Sequence, residues 1–396
     1  MAKQNKHLEH IEDLILLEGR SGADKAIKIL RKVGETLTGA GGPALTITTK
    51  WDGAPAVVAG IDPSDGKFFV GTKSVFNKES PKVCKQQNDI QRMYGGELAS
   101  KLSYCLRYLK NVVTEGVLQG DLLFTNDKSS QQIMGKSYVI FRPNTITYAA
   151  ETGSKIGNEI QSASVGIVFH TRYTGGPTLQ DMSASFGVKD GEYNKNGSVW
   201  AVSATFQDVG NVASFSGAEK AQYEAAINKA EGSAKQTGNI LNKINTGGKT
   251  LQFDTEFKKF FNAYFRDGRA MDSVSNSYNK FLHHMGQEYA KAIKKNKTLD
   301  AQAKKAFIWL EAIDFAESNR KQMMMVIATY QNLLRAKNIA VNKMNRVADL
   351  NTFVETNDGY KVTSPEGYVA ISGGQAVKLI DRLEFSNLNF TVPKKW

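Results

Sequence analysis

Cysteine is nearly absent from this chain of 396 residues, which contains only Cys84 and Cys105. The two do not form a CxxC pair, so the sequence provides neither a zinc ribbon nor a disulfide scaffold. The five histidines also lack the spacing of metal ligands. Such sparing use of cysteine fits a reducing compartment, and we expect the protein to act in the cytoplasm.

Long apolar runs are missing as well. No stretch approaches the roughly 20 apolar residues needed to cross a bilayer, and residues 1–10 are too polar and charged for a secretory signal. We therefore expect no membrane partner. Proline is absent between residues 216 and 347, which allows long helices to continue there without interruption.

Basic residues outnumber acidic ones, which gives a formal net charge of +12 and a pI of about 9.3. Residues 211–350 contain 22 Lys and Arg against 13 Asp and Glu, so most of the excess lies in one region. A basic surplus favours a polyanionic partner, because side chains that neutralise phosphates release counterions. The alternative is a surface that is charged only for solubility.

Hydrophobic patterning changes three times along the chain. Helical spacing over 10–16 and 23–37 gives way to strand-like runs between 44 and 206, which a helix over roughly 96–114 interrupts. Helical periodicity then returns, and strands follow from residue 359 to residue 390. The helices expected in the second helical region are 218–245, 255–265, 275–294 and 299–345.

These changes predict four segments. They are an N-terminal helical segment (1–42), the first part of a β-rich domain (43–215), a helical insertion (216–348) and the final strands of the β-rich domain (349–396). The chain shows no internal repeat and no low-complexity segment.

The sharpest local feature is Thr48-Thr-Lys-Trp-Asp-Gly-Ala-Pro-Ala56, in which a strand delivers Lys50 into a turn. A lysine whose proton has been removed can attack an α-phosphate and form a phosphoramidate. Gly53 would let the backbone approach a nucleotide closely. A lone KxDG match arises by chance in many chains, so by itself it also fits an ordinary surface lysine.

Five further segments follow in order, and together with the KxDG segment they form a series. They are Gly71-Thr-Lys-Ser-Val75, Leu118-Gln-Gly-Asp-Leu-Leu-Phe124, Val165-Gly-Ile-Val-Phe-His-Thr-Arg-Tyr173, Pro365-Glu-Gly-Tyr-Val369 and Gln375-Ala-Val-Lys-Leu379. The series resembles the covalent nucleotidyltransferase superfamily, which includes ATP-dependent DNA ligases, RNA ligases and mRNA capping enzymes. The resemblance covers about 44–175 and 360–382. It implies an α+β fold with an antiparallel-sheet adenylation domain of the ATP-grasp-like ligase type, into which the helical block is inserted.

The resemblance implies a role for each matching residue. Lys50 is similar to the catalytic nucleophile that becomes linked to AMP, Asp52 would orient or deprotonate it, and Lys378 would balance charge on the α-phosphate. Asp121 and Glu366 would help to hold a divalent metal ion, Mg²⁺ or Mn²⁺. The nucleotide-binding residues implied in this way are Thr49, Gly53, Lys73, Asp121, Phe169, Glu366 and Lys378.

Several of these residues fit structural roles equally. Phe169 is the candidate for stacking on adenine, with Phe141 as its competitor, but either aromatic also fits a hydrophobic core. Lys73 fits a solvated surface position. Asp121 and Glu366 flank apolar strands, where a buried carboxylate serves as the partner of another buried polar group.

Two departures from the family pattern bear on the substrate. The last family element usually carries two lysines two residues apart, whereas Ala376 and Ile380 flank Lys378 here. Only 18 residues of the 396 follow Lys378, so we expect no C-terminal oligonucleotide-binding (OB) barrel of the kind found in DNA ligases and capping enzymes. RNA ligases of the phage type lack that barrel, which favours RNA ends as the substrate.

The implied activity is the ATP-dependent sealing of a 5′-phosphate to a 3′-hydroxyl through lysyl-AMP. A DNA nick ligase without the barrel is one alternative, and a nucleic-acid-binding phage protein with reduced turnover is another. The compact, basic chain also resembles ligase-like proteins of large tailed phages, which implies the cytoplasm of an infected host.

The helical block mixes basic residues with aromatics. Basic side chains can follow a phosphate backbone while aromatics stack on unpaired bases, although the same aromatics also fit the core of a helical bundle. The nucleic-acid-binding residues predicted on this basis are Lys258, Lys259, Arg266, Lys291, Lys294 and Lys295.

Overall fold

The computed structural model describes residues 8–39, 45–206, 214–246, 253–347, 350–356, 359–373 and 375–383. Within these residues the chain forms ten α-helices and fourteen strands, and nearly all neighbouring strands run antiparallel. The expected α+β class with antiparallel sheets is therefore confirmed. After the N-terminal helix, strands lie on both sides of a helical block that runs from residue 217 to residue 344.

The helices have the following bounds: α1 Leu14–Thr36, α2 Gln87–Met93, α3 Gly96–Tyr108, α4 Lys155–Ser162, α5 Gly217–Gln236, α6 Ile240–Thr246, α7 Phe253–Arg266, α8 Val274–Lys295, α9 Leu299–Ser318 and α10 Arg320–Met344.

The strands have the following bounds: β1 Thr46–Lys50, β2 Ala56–Ile61, β3 Phe68–Gly71, β4 Val117–Phe124, β5 Ser129–Ile133, β6 Lys136–Phe141, β7 Thr147–Glu151, β8 Val165–Thr174, β9 Ser183–Phe186, β10 Val199–Ser203, β11 Asn351–Thr356, β12 Gly359–Val362, β13 Gly367–Ser372 and β14 Gln375–Leu379.

These strands form three sheets. The largest has the order β10-β8-β4-β2-β3, with β9 added to β8 and with β10 parallel to β8. The second has the order β12-β11-β7-β6-β5, and the third has the order β1-β13-β14. Strands that precede the helical block thus pair with strands that follow it, since β1 pairs with β13 and β7 pairs with β11.

The helical block shares its core with the N-terminal helix. Side chains of α1 such as Ile27 and Leu30 belong to the same buried cluster as side chains of α5, α7 and α10. The first helical segment is therefore part of the helical layer. The aromatic residues of α7 also lie in this core, which favours the expected role in the helical bundle over stacking on bases; they are Phe253, Phe257, Phe260, Phe261, Tyr264 and Phe265.

Buried charges join the start of the chain to its end within this layer. Lys337 on α10 and Glu12 before α1 are both fully buried, and their side chains form an ion pair of 2.8 Å. Arg382 pairs with Asp13 at 3.0 Å, and the hydroxyl of Tyr330 donates to the same carboxylate. Buried charges are tolerated only when they are paired, so this cluster fixes α1 and α10 against the segment after β14.

The predicted elements differ from the observed ones in a few places. The stretch 299–345 consists of two helices separated by Asn319, and the short helices α2 and α4 were not expected. The predicted boundaries at 42/43 and 348/349 lie outside the described residues, as does the tail 384–396. The third boundary, at 215/216, falls directly before α5.

Candidate active site

A cavity of about 440 Å³ lies where the three-stranded sheet meets the largest sheet. Its volume falls within the range of pockets that bind small molecules. Both sheets contribute polar side chains, and the short turn after β3 contributes one more. The charged and amide-bearing residues that line the cavity are Lys50, Lys73, Gln119, Asp121, His170 and Lys378.

The register of β1, β13 and β14 brings residues that are distant in sequence onto one face. Thr48 lies opposite Val369, and Val369 lies opposite Lys378. Directly opposed residues of antiparallel strands point to the same side of the sheet. Lys50, two residues after Thr48, therefore shares that side, and Thr48, Lys50, Val369 and Lys378 all line the cavity.

Lys50 forms an ion pair with Glu366, which immediately precedes its register partner Gly367. The Lys50 side chain is 29% exposed and the Glu366 side chain only 10%. Burial raises the pKa of Glu366 to about 7, the positive charge of Lys50 opposes this shift, and the negative charges of Asp52 and Asp121 add to it. Glu366 is thus a carboxylate that exchanges a proton near neutral pH while in contact with the amine of Lys50.

Two further lysines approach the cavity from separate elements. Burial, and then the positive charge of Lys50, lower the pKa of Lys378. The N–H of Lys378 donates to the carbonyl of Glu9 at 2.8 Å, which fixes the end of the sheet. Lys73 is exposed and begins a 3₁₀ turn that is capped by the hydroxyl of Thr72. The sequence prediction that these lysines accompany Lys50 agrees with their positions around the cavity.

Asp121 and His170 face each other across β4 and β8, with 3.5 Å between Oδ1 and Nε2. The other ring nitrogen of His170 lies 2.7 Å from the hydroxyl of Thr171. Because Asp121 raises the pKa of Glu366, the two carboxylates are close enough to repel each other when both are charged. Asp121 and Glu366, the two expected metal ligands, are therefore within electrostatic range of each other.

The described residues contain no group of three or more His, Cys, Asp or Glu side chains arranged to hold a metal. Mg²⁺ commonly takes one or two carboxylates and fills its remaining positions with phosphate oxygens and water. Asp121 would then supply the protein's share of the ligands, because Glu366 is engaged by Lys50.

The carboxylate of Asp52 is engaged by donors other than Lys50, which fits the expected orienting role better than the expected deprotonation of the nucleophile. It is buried and accepts hydrogen bonds from the side-chain amide of Asn144 at 2.8 Å and from the N–H groups of Thr145 and Ile146 at 2.7 and 2.8 Å. Its own N–H donates to the hydroxyl of Tyr148. Asp52 therefore anchors the turn after β1 to the loop before β7, and it positions Lys50 through the backbone alone.

Gly53 packs directly against Asp121. A Cβ atom built on Gly53 would lie 2.6 Å from the Cβ of Asp121 and 3.1 Å from the carbonyl oxygen of Leu122. The N–H of the next residue, Ala54, donates to that same carbonyl. The glycine is thus required so that the turn after Lys50 can lie on β4, whereas the sequence suggested only a close approach to a nucleotide.

Neither aromatic residue predicted to stack on adenine reaches the cavity. Phe169 is fully buried in the core on the other side of the largest sheet, where its ring lies 5.1 Å from that of Tyr193. Phe141 is buried between Phe124 and Tyr148. Side chains alternate along a strand, so Val168 and His170 face the cavity and Phe169 between them faces away.

Two other aromatic residues line the cavity, Trp51 and Phe186. Trp51 is held by the rings of Tyr148 and Trp200, at 5.1 and 6.1 Å. Phe186 is half-buried at the end of β9, opposite Thr171. Trp51 lies inside the KxDG segment, so its proximity to Lys50 was readable from the sequence. Gln119 and His170 also lie inside segments of the series, whereas Phe186 carries no such signal.

Most of the predicted nucleic-acid contacts are engaged in ion pairs. Lys258 pairs with Glu9 at 3.0 Å, and Lys259 and Lys291 both contact acids of the α7–α8 interface. Arg266 lies 3.9 Å from Asp267. Lys294 and Lys295, at the end of α8, are exposed and form no ion pair with any residue in the described part of the chain.

No described helix is long and apolar enough to cross a membrane.

Comparisons with known proteins give one family match. No curated protein and no solved structure matches the sequence. The family model described as "Family of unknown function (DUF6267)" matches residues 5–394. The chain therefore belongs to the DUF6267 family of unknown function.

Proposed function

We propose that this protein is a covalent nucleotidyltransferase that transfers AMP from ATP to Lys50. The observation that carries the proposal is the pairing of Lys50 with the buried acid Glu366 in a cavity that Lys73, Lys378 and Asp121 also line. An amine in contact with a proton acceptor is the arrangement that an attacking lysine requires. The ordered motif series, which resembles that of nucleotidyltransferases, supports the same chemistry.

In the proposed first step the Nζ atom of Lys50 attacks the α-phosphorus of ATP. A P–N bond forms, the bond from the α-phosphorus to the bridging oxygen of the β-phosphate breaks, and pyrophosphate leaves. Glu366, whose pKa is about 7, accepts the proton that Lys50 gives up. Lys73 and Lys378 neutralise charge that develops on phosphate oxygens. A divalent cation held by Asp121 would supply further neutralisation there.

The proposed second stage uses the adenylate to join nucleic-acid ends. AMP passes to a 5′-phosphate, and a 3′-hydroxyl then displaces it as the new phosphodiester forms. Lys294 and Lys295 support contact with a polyanion because they are exposed and form no ion pair within the described residues. RNA ends are the first substrate to test, as the resemblance to RNA ligases of the phage type implies.

An intact-mass spectrum after incubation with ATP and Mg²⁺ tests the first step, with GTP in parallel. We expect one added AMP in the wild-type protein and none in Lys50→Ala. Lys28→Ala removes an exposed lysine of α1 and serves as the matched control, which should retain the adduct. Absence of any adduct from protein purified free of bound AMP would refute the proposal, as would an adduct that persists in Lys50→Ala.

Sealing assays on nicked RNA, nicked DNA and single strands test the second stage. Sealing of RNA ends that depends on Lys50 is the expected result. Sealing of nicked DNA alone would identify the DNA nick ligase instead. Adenylation of Lys50 without any sealing would indicate a nucleic-acid-binding protein with reduced turnover.

A further inference from the structure

Three side chains lie in one row across neighbouring strands of the largest sheet. Gln119 on β4 lies opposite Thr171 on β8, and Thr171 lies opposite Phe186 on β9. Opposed residues of antiparallel strands point to the same side of the sheet, with Cβ atoms about 4.5–5.5 Å apart. All three line the cavity. An amide, a hydroxyl and an aromatic ring, together called the Gln119 row, thus lie side by side in the cavity that contains Lys50.

The amide of Gln119 is held with its NH₂ group left for a ligand. Gln119 is 3% exposed, and its Oε1 atom accepts a hydrogen bond of 2.6 Å from the hydroxyl of Tyr173. The ring of Tyr173 stacks on that of Phe76, with 4.1 Å between the centroids, which fixes the hydroxyl. Within the described part of the chain, no group accepts from the Nε2 atom of Gln119. A buried donor that lines a cavity without an acceptor is costly unless a ligand supplies one.

Thr171 supplies an acceptor next to this donor. His170 has no partner on β4, because the pairing is irregular there, and it lines the cavity together with Thr171. The Nε2 atom of His170 lies toward Asp121, and its Nδ1 atom lies 2.7 Å from the hydroxyl of Thr171. A neutral imidazole whose proton is on Nε2, beside the carboxylate, accepts at Nδ1. The hydroxyl of Thr171 then donates to His170, and its oxygen can accept from a ligand.

A donor beside an acceptor matches an edge of adenine. Adenine presents its 6-amino group, a donor, next to a ring nitrogen that accepts. Guanine has an oxygen acceptor in place of that amino group, and this oxygen would face the lone pair of Thr171. A hydroxyl that turned to donate to guanine would lose its hydrogen bond to His170. The Gln119 row therefore favours adenine over guanine.

We propose that Gln119 and Thr171 determine the base specificity of the cavity. Gln119 donates to a ring nitrogen of adenine, and Thr171 accepts from the 6-amino group. Tyr173 is a positioning residue, because its hydroxyl directs the amide of Gln119. The inference rests on the proposed binding of ATP at this cavity and goes beyond it by naming the side chains that recognise the base.

Calorimetric titration tests the specificity, done in the Lys50→Ala background with ATP, GTP and purine riboside triphosphate, which lacks the 6-amino group. ATP should bind about tenfold more tightly than either analogue, because neither analogue can donate to Thr171. Equal affinities for ATP and GTP would overturn the inference, whereas adenylation of the wild-type protein by ATP would still support the proposed function. Failure of all three nucleotides to bind would overturn both.

Thr171→Val tests the contact with the amino group, because valine keeps the shape of threonine without its acceptor. This variant should bind ATP about tenfold more weakly and purine riboside triphosphate as before, so that the two affinities become equal. Thr174→Val is the matched control, since Thr174 is exposed at the end of β8 and is not among the residues that line the cavity. It should bind ATP as the parent does. An equal loss of affinity for both nucleotides in Thr171→Val would overturn the assigned contact.

Gln119→Met tests the donor, because methionine has a similar length and no N–H. It should weaken ATP and purine riboside triphosphate equally, about tenfold, since both keep the ring nitrogens. Tyr173→Phe keeps the donor but no longer holds it, and should weaken ATP about threefold. Circular dichroism establishes that each variant is folded. Unchanged ATP affinity in folded Gln119→Met would overturn the role of Gln119, and unchanged affinity in folded Tyr173→Phe would overturn the positioning role.

Discussion

Lys50 and Glu366 are 316 residues apart in the sequence and form an ion pair at the edge of the cavity. Glu366 is the carboxylate that contacts the amine of Lys50, whereas the carboxylate of Asp52 is occupied by three N–H donors. If Lys50 is a nucleophile, the acid that takes its proton is Glu366. Because burial raises the pKa of Glu366 to about 7, this assignment predicts that the rate of Lys50 adenylation depends on pH.

The rate of Lys50 adenylation should rise with pH up to about 7 and then level off, because Glu366 accepts a proton only after it has ionised. Glu366→Gln should lower the rate by about 10²–10⁴-fold and abolish this rise. Single-turnover formation of the AMP adduct, measured by mass spectrometry in steps of about half a pH unit between about pH 5.5 and about pH 8.5, gives the profile. A wild-type profile that is flat across this range would contradict the assignment.

Glu366 should also affect stability in the absence of nucleotide. Its folded-state pKa lies above its ordinary value of 4.5, so the native state holds the proton more tightly than the unfolded state. The resulting stabilisation is complete below the ordinary pKa and is lost as pH rises through about 7. Relative to wild type, Glu366→Gln should therefore gain about 2 kcal/mol between pH 5 and pH 8. Urea unfolding at the two pH values measures this, and a constant difference would argue against a buried, titrating carboxyl group.

We expect Asp52 to stabilise the turn after β1 and to take no part in proton transfer. Asp52→Ala removes the acceptor of three hydrogen bonds in a buried turn and should cost about 3–5 kcal/mol of stability. Asp52→Asn should cost less and keep the pH dependence of adenylation, because Glu366 remains in place. Thermal unfolding and the pH profile of Asp52→Asn are the measurements. Loss of the pH dependence in a fully stable Asp52→Asn protein would assign proton transfer to Asp52 instead.

The motif series made the cavity partly predictable. Lys50, Lys73, Asp121 and Lys378 line it, as expected from elements that resemble those of one family. Lys50, Asp121 and Lys378 lie on strands, where the local pattern of apolar residues specifies the element, and Lys73 lies in the turn after β3. The contact of Lys50 with Glu366 was not readable, because it depends on the register between β1 and β13.

The side of the sheet to which an individual side chain points was less predictable from the sequence. Phe169 and His170 are neighbours on β8, and a sequence cannot specify which of the two points into a cavity when both sides of the strand are covered. An irregularity in the β4–β8 pairing at Gln119/Gly120 further shifts the facing. The separation of α9 from α10 at Asn319 also lacked a signal, since neither glycine nor proline marks it.

Gly53 should tolerate no side chain. In Gly53→Ala the new Cβ would meet the Cβ of Asp121 at 2.6 Å, so the turn after Lys50 or the strand β4 must shift. We expect a loss of about 1–3 kcal/mol in stability and slower adenylation, because both Lys50 and Asp121 are displaced. Gly191→Ala is the matched control, since its Cβ would meet nothing within 4 Å. Equal stability and adenylation in the two variants would contradict the close packing of Gly53 on β4.

Phe186, rather than Phe169, should determine the affinity for the adenine base. Phe186 lines the cavity and Phe169 is fully buried on the other side of the sheet. Loss of one aromatic stacking partner typically costs about 1–3 kcal/mol, so Phe186→Ala should weaken ATP binding about fivefold or more. Phe169→Leu should leave binding unchanged and instead cost about 1–2 kcal/mol of stability through the cavity it creates. Calorimetric titration with ATP, done in the Lys50→Ala background so that no covalent adduct forms, separates binding from reaction. If ATP binding were weaker in folded Phe169→Leu and unchanged in Phe186→Ala, the adenine base would stack on Phe169, as the sequence predicts.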